Sequence, residues 1–154
     1  PLWYNDVLLL RLDQQATVIQ AKRSLDRMKR PHDPGRVVAE LSFGFWTSLY
    51  GKEYENTIVR PTIATVFPNL SSSARQRSTV DPPLRDARLL RNRIAHHEPI
   101  CFDRNLAKTY QGIVDLIKWM SPAMTQISSF HDSFRWVHGS SWKNMRPRVE
   151  SLFG

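Results

Sequence analysis

The chain has 154 residues, of which 41% are hydrophobic and 23% charged, proportions typical of one globular domain and not of a disordered segment. It carries 22 Lys and Arg against 14 Asp and Glu, and this net charge of +8 favours a polyanionic partner such as nucleic acid. A single cysteine, Cys101, excludes a disulfide within the chain.

No apolar run approaches the roughly 18 residues that a membrane-spanning helix needs. We therefore expect a cytoplasmic protein that makes no membrane contact. Since the first residue is Pro1 and not Met, residues 1–154 are treated as one domain that can belong to a longer protein.

Apolar residues recur at helical spacing along the first half of the chain. Residues 4–30 are predicted to form the first helix, which ends before the Pro- and Gly-containing stretch 31–35. A second helix is predicted over residues 36–50. Residues 56–67 are predicted to form one or two short helices broken at Pro61.

The second half begins with a helix predicted over residues 82–97. Asp81 is suited to cap its free N–H groups, and Pro82 is suited to its first position. Pro99 pushes the preceding residue out of helical geometry, which predicts the end of this helix.

Further helices are predicted over residues 103–120, after Ser121, and over residues 142–153. The sequence indicates no convincing pair of strands. The predicted fold class is therefore all-α, a single helical bundle.

The predicted helix 82–97 has two different faces when its residues are placed about 100° apart on a helical wheel. One face is apolar and is predicted to contact the core: Pro83, Ala87, Leu90 and Ile94. The other face gathers hydrogen-bond donors and one imidazole within an arc of roughly 80°: Arg85, Arg88, Asn92 and His96. Arg91 lies at the border of this polar face, about 140° from His96.

These residue types suit chemistry on a phosphodiester. An arginine offers a planar fork of donors that matches phosphate oxygens, and a histidine with its ordinary pKa near 6.5 exchanges a proton near neutral pH. RNA carries a 2′-hydroxyl beside each phosphate, so a base and an arginine suffice for cleavage without a metal. The expected products are a 2′,3′-cyclic phosphate and a 5′-hydroxyl.

The string LRNRIAHHEPI at residues 90–100 resembles the signature of the HEPN superfamily, in which an Arg and a polar residue precede a His. More narrowly it resembles the Abi-like (abortive infection) branch. The block at residues 40–50 and the stretch Phe67-Pro68-Asn69, followed by Arg75 and Arg77, are also similar to that branch. The resemblance covers about residues 35–120.

This resemblance implies a HEPN-like bundle that dimerises through the motif helix, and a metal-independent endoribonuclease of an abortive-infection or toxin–antitoxin defence system. Arg91, Asn92 and His96 match the motif and are the predicted catalytic residues. In the implied dimer, Arg91 of one chain acts with His96 of the other. The expected partners are RNA, a second copy of the chain, and an antitoxin or regulatory protein; no cofactor and no metal are expected.

The resemblance also leaves open a non-catalytic alternative, an RNA- or nucleotide-binding module that acts as a sensor or as a regulatory partner. His97 and Glu98 are predicted to support the site, His97 in a structural or orienting role. Five further arginines are predicted to bind RNA along the strand: Arg75, Arg77, Arg85, Arg88 and Arg93.

A zinc site is disfavoured because His96, His97 and Cys101 lack the paired spacings of structural zinc ligands. Trp136 and Trp142, in a basic and polar tail, are the aromatic residues best suited to stack on bases.

Overall fold

A computed structural model describes residues 2–138 of the chain. Every regular element in this part is helical, which confirms the all-α prediction there. The predicted helix over residues 142–153, Trp142 and the side chain of Trp136 lie outside the described residues.

Eight α-helices occur between residues 2 and 138: α1 (Leu12–Arg27), α2 (Pro34–Glu40), α3 (Phe43–Ser48), α4 (Arg60–Val66), α5 (Arg77–Ala95), α6 (Leu106–Met120), α7 (Pro122–His131) and α8 (Phe134–Trp136). Tighter 3-10 turns form at Trp3–Asn5, Lys52–Tyr54 and Ser72–Ala74, and a π-helical turn, Glu55–Val59, runs directly into α4.

The first helix is shorter than predicted, because α1 begins only at Leu12. The carboxylate of Asp6 accepts hydrogen bonds from the backbone N–H groups of Leu8 (2.8 Å) and Leu9 (3.2 Å). This local turn competes with helix formation, so residues 4–11 do not join α1.

The predicted helix 36–50 is two helices. Ser42 interrupts it with an extended backbone, and its hydroxyl accepts a hydrogen bond from the N–H of Phe45 (3.2 Å), which caps α3. The predicted break at Pro61 is wrong, because Pro61 lies in the first turn of α4 and the backbone stays helical from the π-helical turn into α4.

Two apolar clusters form the core. The first joins the N-terminal turns, α1, α2 and α3: Tyr4, Leu10, Val18, Ala21, Leu25, Val37, Leu41, Phe45, Leu49 and Tyr54. The second joins α4, α5 and α6: Val59, Ile63, Phe67, Leu70, Val80 and Leu116. The motif helix α5 is thus anchored in the second cluster.

The start of α5 also differs from the prediction. Asp81 does not cap a helix; its carboxylate pairs with Arg77 (Nη1–Oδ2 2.8 Å), and Arg77 also pairs with Glu55 (Nε–Oε2 3.2 Å). These ion pairs lie in the first turns of a helix that begins at Arg77, and Pro82 and Pro83 fall inside it. Each proline removes one helical N–H donor there.

Helix α5 packs against α6. A Cβ placed on Gly112 of α6 would lie 3.1 Å from the Cβ of Pro83, so the absence of a side chain at Gly112 allows this close approach. The approach places α6 and the preceding loop beside the C-terminal half of α5.

Candidate functional site

The C-terminus of α5 is closed by a Schellman motif. The helix ends at Ala95 and His96 is its C-cap residue. The N–H of His97 donates to the carbonyl of Ile94 (3.1 Å), and the N–H of Glu98 donates to that of Arg93 (2.9 Å). The end predicted at residue 97 is therefore correct to within two residues.

His97 occupies the left-handed position of this motif, with φ 57°. Glycine is the usual residue at such a position because a Cβ is strained there by about 1 kcal/mol. The backbone of His97 therefore takes part in ending the helix, and the supporting role predicted for its side chain stays a prediction.

We expect His97→Gly to raise the free energy of unfolding by roughly 0.5–1 kcal/mol, since it relieves this strain. Denaturant unfolding of the purified variant measures the change. His97→Ala keeps the Cβ and is the matched control, with an expected stability close to wild type. A loss of stability in both variants would instead mean that the imidazole holds the helix end.

The two principal motif side chains are exposed. The ring of His96 makes no hydrogen bond or ion pair with any residue from 2 to 138. Arg91 donates from Nη1 to Oδ1 of Asn92 (3.2 Å) and forms no ion pair in this range. Asn92 is half-buried, and its side chain lies in contact with the guanidinium of Arg91.

Arg93, by contrast, is engaged within the chain. Its Nη1 pairs with Oδ2 of Asp103 (2.6 Å), its Nη2 donates to the carbonyl of Pro99 (2.7 Å), and its Nε lies 3.5 Å from Oε2 of Glu98. These contacts fasten the loop that follows the motif to the last turns of α5. Glu98 is thus a partner of Arg93.

The other arginines predicted to bind RNA also fall into two groups, those bonded within the chain and those without a partner in its described part. Arg75 donates to the carbonyls of Leu70 and Pro68, and Arg77 is held by Glu55 and Asp81. Arg85 and Arg88 have no polar partner among residues 2–138. RNA binding by the five arginines stays a prediction, and Arg85 and Arg88 are the two whose guanidinium groups are available.

We expect Arg93→Ala to lower the free energy of unfolding by about 1–2 kcal/mol, because charge-assisted hydrogen bonds to Asp103 and Pro99 are lost. Arg85→Ala removes the same charge from the same helix and should stay within about 0.5 kcal/mol of wild type. Thermal unfolding of both variants checks this. Equal stability of the two would show that Arg93 does not hold the loop.

Only part of the apolar face of α5 is buried in the core. Ala87 is buried, whereas Ile94 is 52% exposed, so the prediction of Ile94 as a core residue is wrong. Ile94 lines an apolar cavity of about 310 Å³ together with Cys101 and the stacked rings of Tyr110 and Phe134, whose centroids are 4.0 Å apart. Within residues 2–138, no group of three or more His, Cys, Asp and Glu is placed to hold a metal ion.

A second contact connects α6 to the segment after α7. The hydroxyl of Tyr110 donates to the carboxylate of Asp132, and Asp132 also accepts from the N–H of Phe134 (2.9 Å). This pairing raises the pKa of Tyr110 and lowers the pKa of Asp132. These two contacts connect the segment to α6 beside the apolar cavity.

Sequence reasoning missed two features of the polar face. Leu89 is 51% exposed and falls about 20° from His96 on the helical wheel, so an apolar side chain lies among the motif residues. A groove of about 500 Å³ between α5 and α6 is lined by Asn92, Asp86 and Lys108, among others. The wheel contained the signal for Leu89, but the groove depends on how α6 packs.

No protein-family model matches the chain, and neither a curated protein nor a solved structure matches it. No helix in the described part of the chain combines the length and the apolar character required to cross a membrane. What is established for residues 2–138 is an all-α fold in which Arg91, Asn92 and His96 lie at the end of one helix.

Proposed function

We propose that this domain is a metal-independent endoribonuclease of the HEPN type, belonging to an abortive-infection or toxin–antitoxin defence system. The observation that supports it best is the state of the motif side chains. His96 and Arg91 emerge at the end of α5 without an ion pair in the described chain, whereas nearby Arg93 is fully engaged. A proton carrier and a phosphate-binding cation are thus both available.

In the proposed reaction the 2′-oxygen of RNA attacks the adjacent phosphorus and the bond from phosphorus to the 5′-oxygen breaks. The attacking hydroxyl loses its proton and the leaving oxygen gains one. His96 acts as the general base or acid in this exchange. Arg91 stabilises the charge on the phosphorane, and Asn92 positions the guanidinium that it already contacts.

We propose that a second copy of the chain completes the site, because Arg91 and His96 lie about 140° apart on an ideal helical wheel. The exposed Leu89 on the same face as His96 supports dimerisation through α5, since burial of such a side chain favours association. In the dimer, Arg91 of one protomer works with His96 of its partner.

The second candidate is a module that binds RNA or a nucleotide without cutting it, as a sensor or regulatory partner. The observation in its favour is that Arg91 contacts Asn92 and forms no bond to His96 within one chain. A chain that stays monomeric would keep its arginines for phosphate binding and lack the composite site. This candidate predicts salt-sensitive binding and no products.

The deciding experiment incubates the purified protein with labelled mixed-sequence RNA in EDTA. Fragments that end in a 2′,3′-cyclic phosphate and a 5′-hydroxyl support the nuclease. Intact RNA with salt-dependent binding supports the second candidate. Intact RNA without binding contradicts the nuclease and leaves only a nucleotide-binding or regulatory module.

The defence assignment is tested separately in cells. Expression of the wild-type chain alone should slow growth, and co-expression of an antitoxin should restore it. Normal growth in the presence of abundant, folded, wild-type protein would contradict the toxin assignment and leave the nuclease proposal to the RNA assay.

A further inference from the structure

The groove between α5 and α6 lies directly beside the candidate catalytic residues. Asn92 forms part of its lining, and so do the apolar side chains of Leu89 and Leu90. Its volume of about 500 Å³ falls in the range of small-molecule sites, which is about 300–1,000 Å³. The groove therefore adjoins the motif through Asn92.

Two charged side chains of opposite sign that line the groove have no polar partner in the described part of the chain. Asp86 of α5 is half-buried, and Lys108 of α6 is exposed. Neither forms an ion pair or a hydrogen bond with a residue in the described range, and they do not pair with each other. A carboxylate accepts hydrogen bonds, so Asp86 is available to a ligand that supplies donors.

Of the four RNA bases, guanine matches this arrangement best. Its pairing edge presents two adjacent donors, N1–H and the 2-amino group, which suit the two oxygens of one carboxylate. Beside them stands the O6 acceptor, which suits a lysine. Adenine, cytosine and uracil each offer a single donor group on that edge.

We propose that the groove is a base-reading subsite for one guanine of the bound RNA strand. The inference rests on the proposed function. Asp86 accepts from N1–H and the 2-amino group, and Lys108 donates to O6. Asp86 and Lys108 are thus specificity-determining residues and take no part in the bond-breaking step.

The test measures binding, so that it does not depend on cleavage. Fluorescence anisotropy gives the Kd of 2′-O-methyl hexanucleotides that differ only in one central base; their 2′-oxygen cannot attack. The wild-type protein should prefer guanine by about tenfold. Asp86→Asn should weaken the guanine oligonucleotide by about tenfold and abolish the preference.

The matched control is Glu40→Gln in α2, which removes one negative charge outside the groove. Removal of a negative charge strengthens RNA binding in general, so this variant should bind all four oligonucleotides slightly more tightly. Asp86→Asn should do the same for the three other bases. A weakening confined to guanine therefore cannot arise from charge alone.

No preference for guanine in the wild type, or a preference that survives in Asp86→Asn, would overturn the subsite. The cleavage assay in EDTA is scored independently. Cleavage without an Asp86-dependent preference would contradict the guanine subsite and support the proposed nuclease activity. An Asp86-dependent preference without cleavage would keep the subsite and favour the RNA-binding candidate.

Discussion

His96→Ala should lower the rate of RNA cleavage by about 10²–10⁴-fold, because it removes the group that exchanges a proton with the reacting oxygens. Single-turnover cleavage of labelled RNA in EDTA measures the effect. The stability of the variant should stay within about 0.5 kcal/mol of wild type, since the exposed ring has no polar partner in the described chain.

His97→Ala provides the control with the same side-chain change one residue further along. His97 is also exposed, but its position is set by the backbone of the Schellman motif, so this variant should cleave RNA at nearly the wild-type rate. Equal activity of the His96→Ala and wild-type proteins would remove His96 from the mechanism. A loss in His97→Ala alone would transfer the role to the neighbouring ring.

Arg91→Ala should lower cleavage by about 10²–10³-fold, as expected when one group that stabilises the transition-state charge is removed. A mixture of the Arg91→Ala and His96→Ala chains should nevertheless regain activity. Each mixed dimer contains one site with both residues intact, supplied by different protomers. Random exchange of subunits makes about half of the dimers mixed, so roughly a quarter of wild-type activity should return.

The mixing experiment discriminates between two arrangements of the site. If Arg91 and His96 act within one protomer, no site in the mixed dimer is complete and the activity stays at the level of the single variants. Analytical ultracentrifugation of each variant supplies the control, because a variant that no longer dimerises cannot exchange subunits. Complementation by dimeric variants would support the composite site directly.

The features that the sequence predicted well depend on neighbouring residues. The cap at Ser121 and the end of α5 near residue 97 follow from local hydrogen bonds, and both agree with the structure. The all-α character followed from apolar spacing that repeats over many turns. Apolar spacing did not reveal the helix boundary at Ser42, because this capping residue lies inside an apolar run.

The features that the sequence did not predict depend on distant residues. The start of α5 lies at Arg77 because that residue meets Glu55, 22 positions earlier, as well as Asp81. The sequence does not distinguish Arg93 from the other arginines near the motif, because its ion pair with Asp103 forms only in the folded chain. The groove likewise requires α6 at its observed position, which no spacing within α5 reveals.

The division of the core into two clusters has a consequence for how the domain opens. Helix α5 belongs to the second cluster and packs against α3, where the aliphatic part of Arg88 lies beside Gly44. Local unfolding of α1 and α2 therefore removes none of the buried side chains of the second cluster. Amide hydrogen exchange in α1 and α2 can therefore proceed independently of α5. A protein that binds these helices would change their local stability and leave the geometry of the motif unchanged.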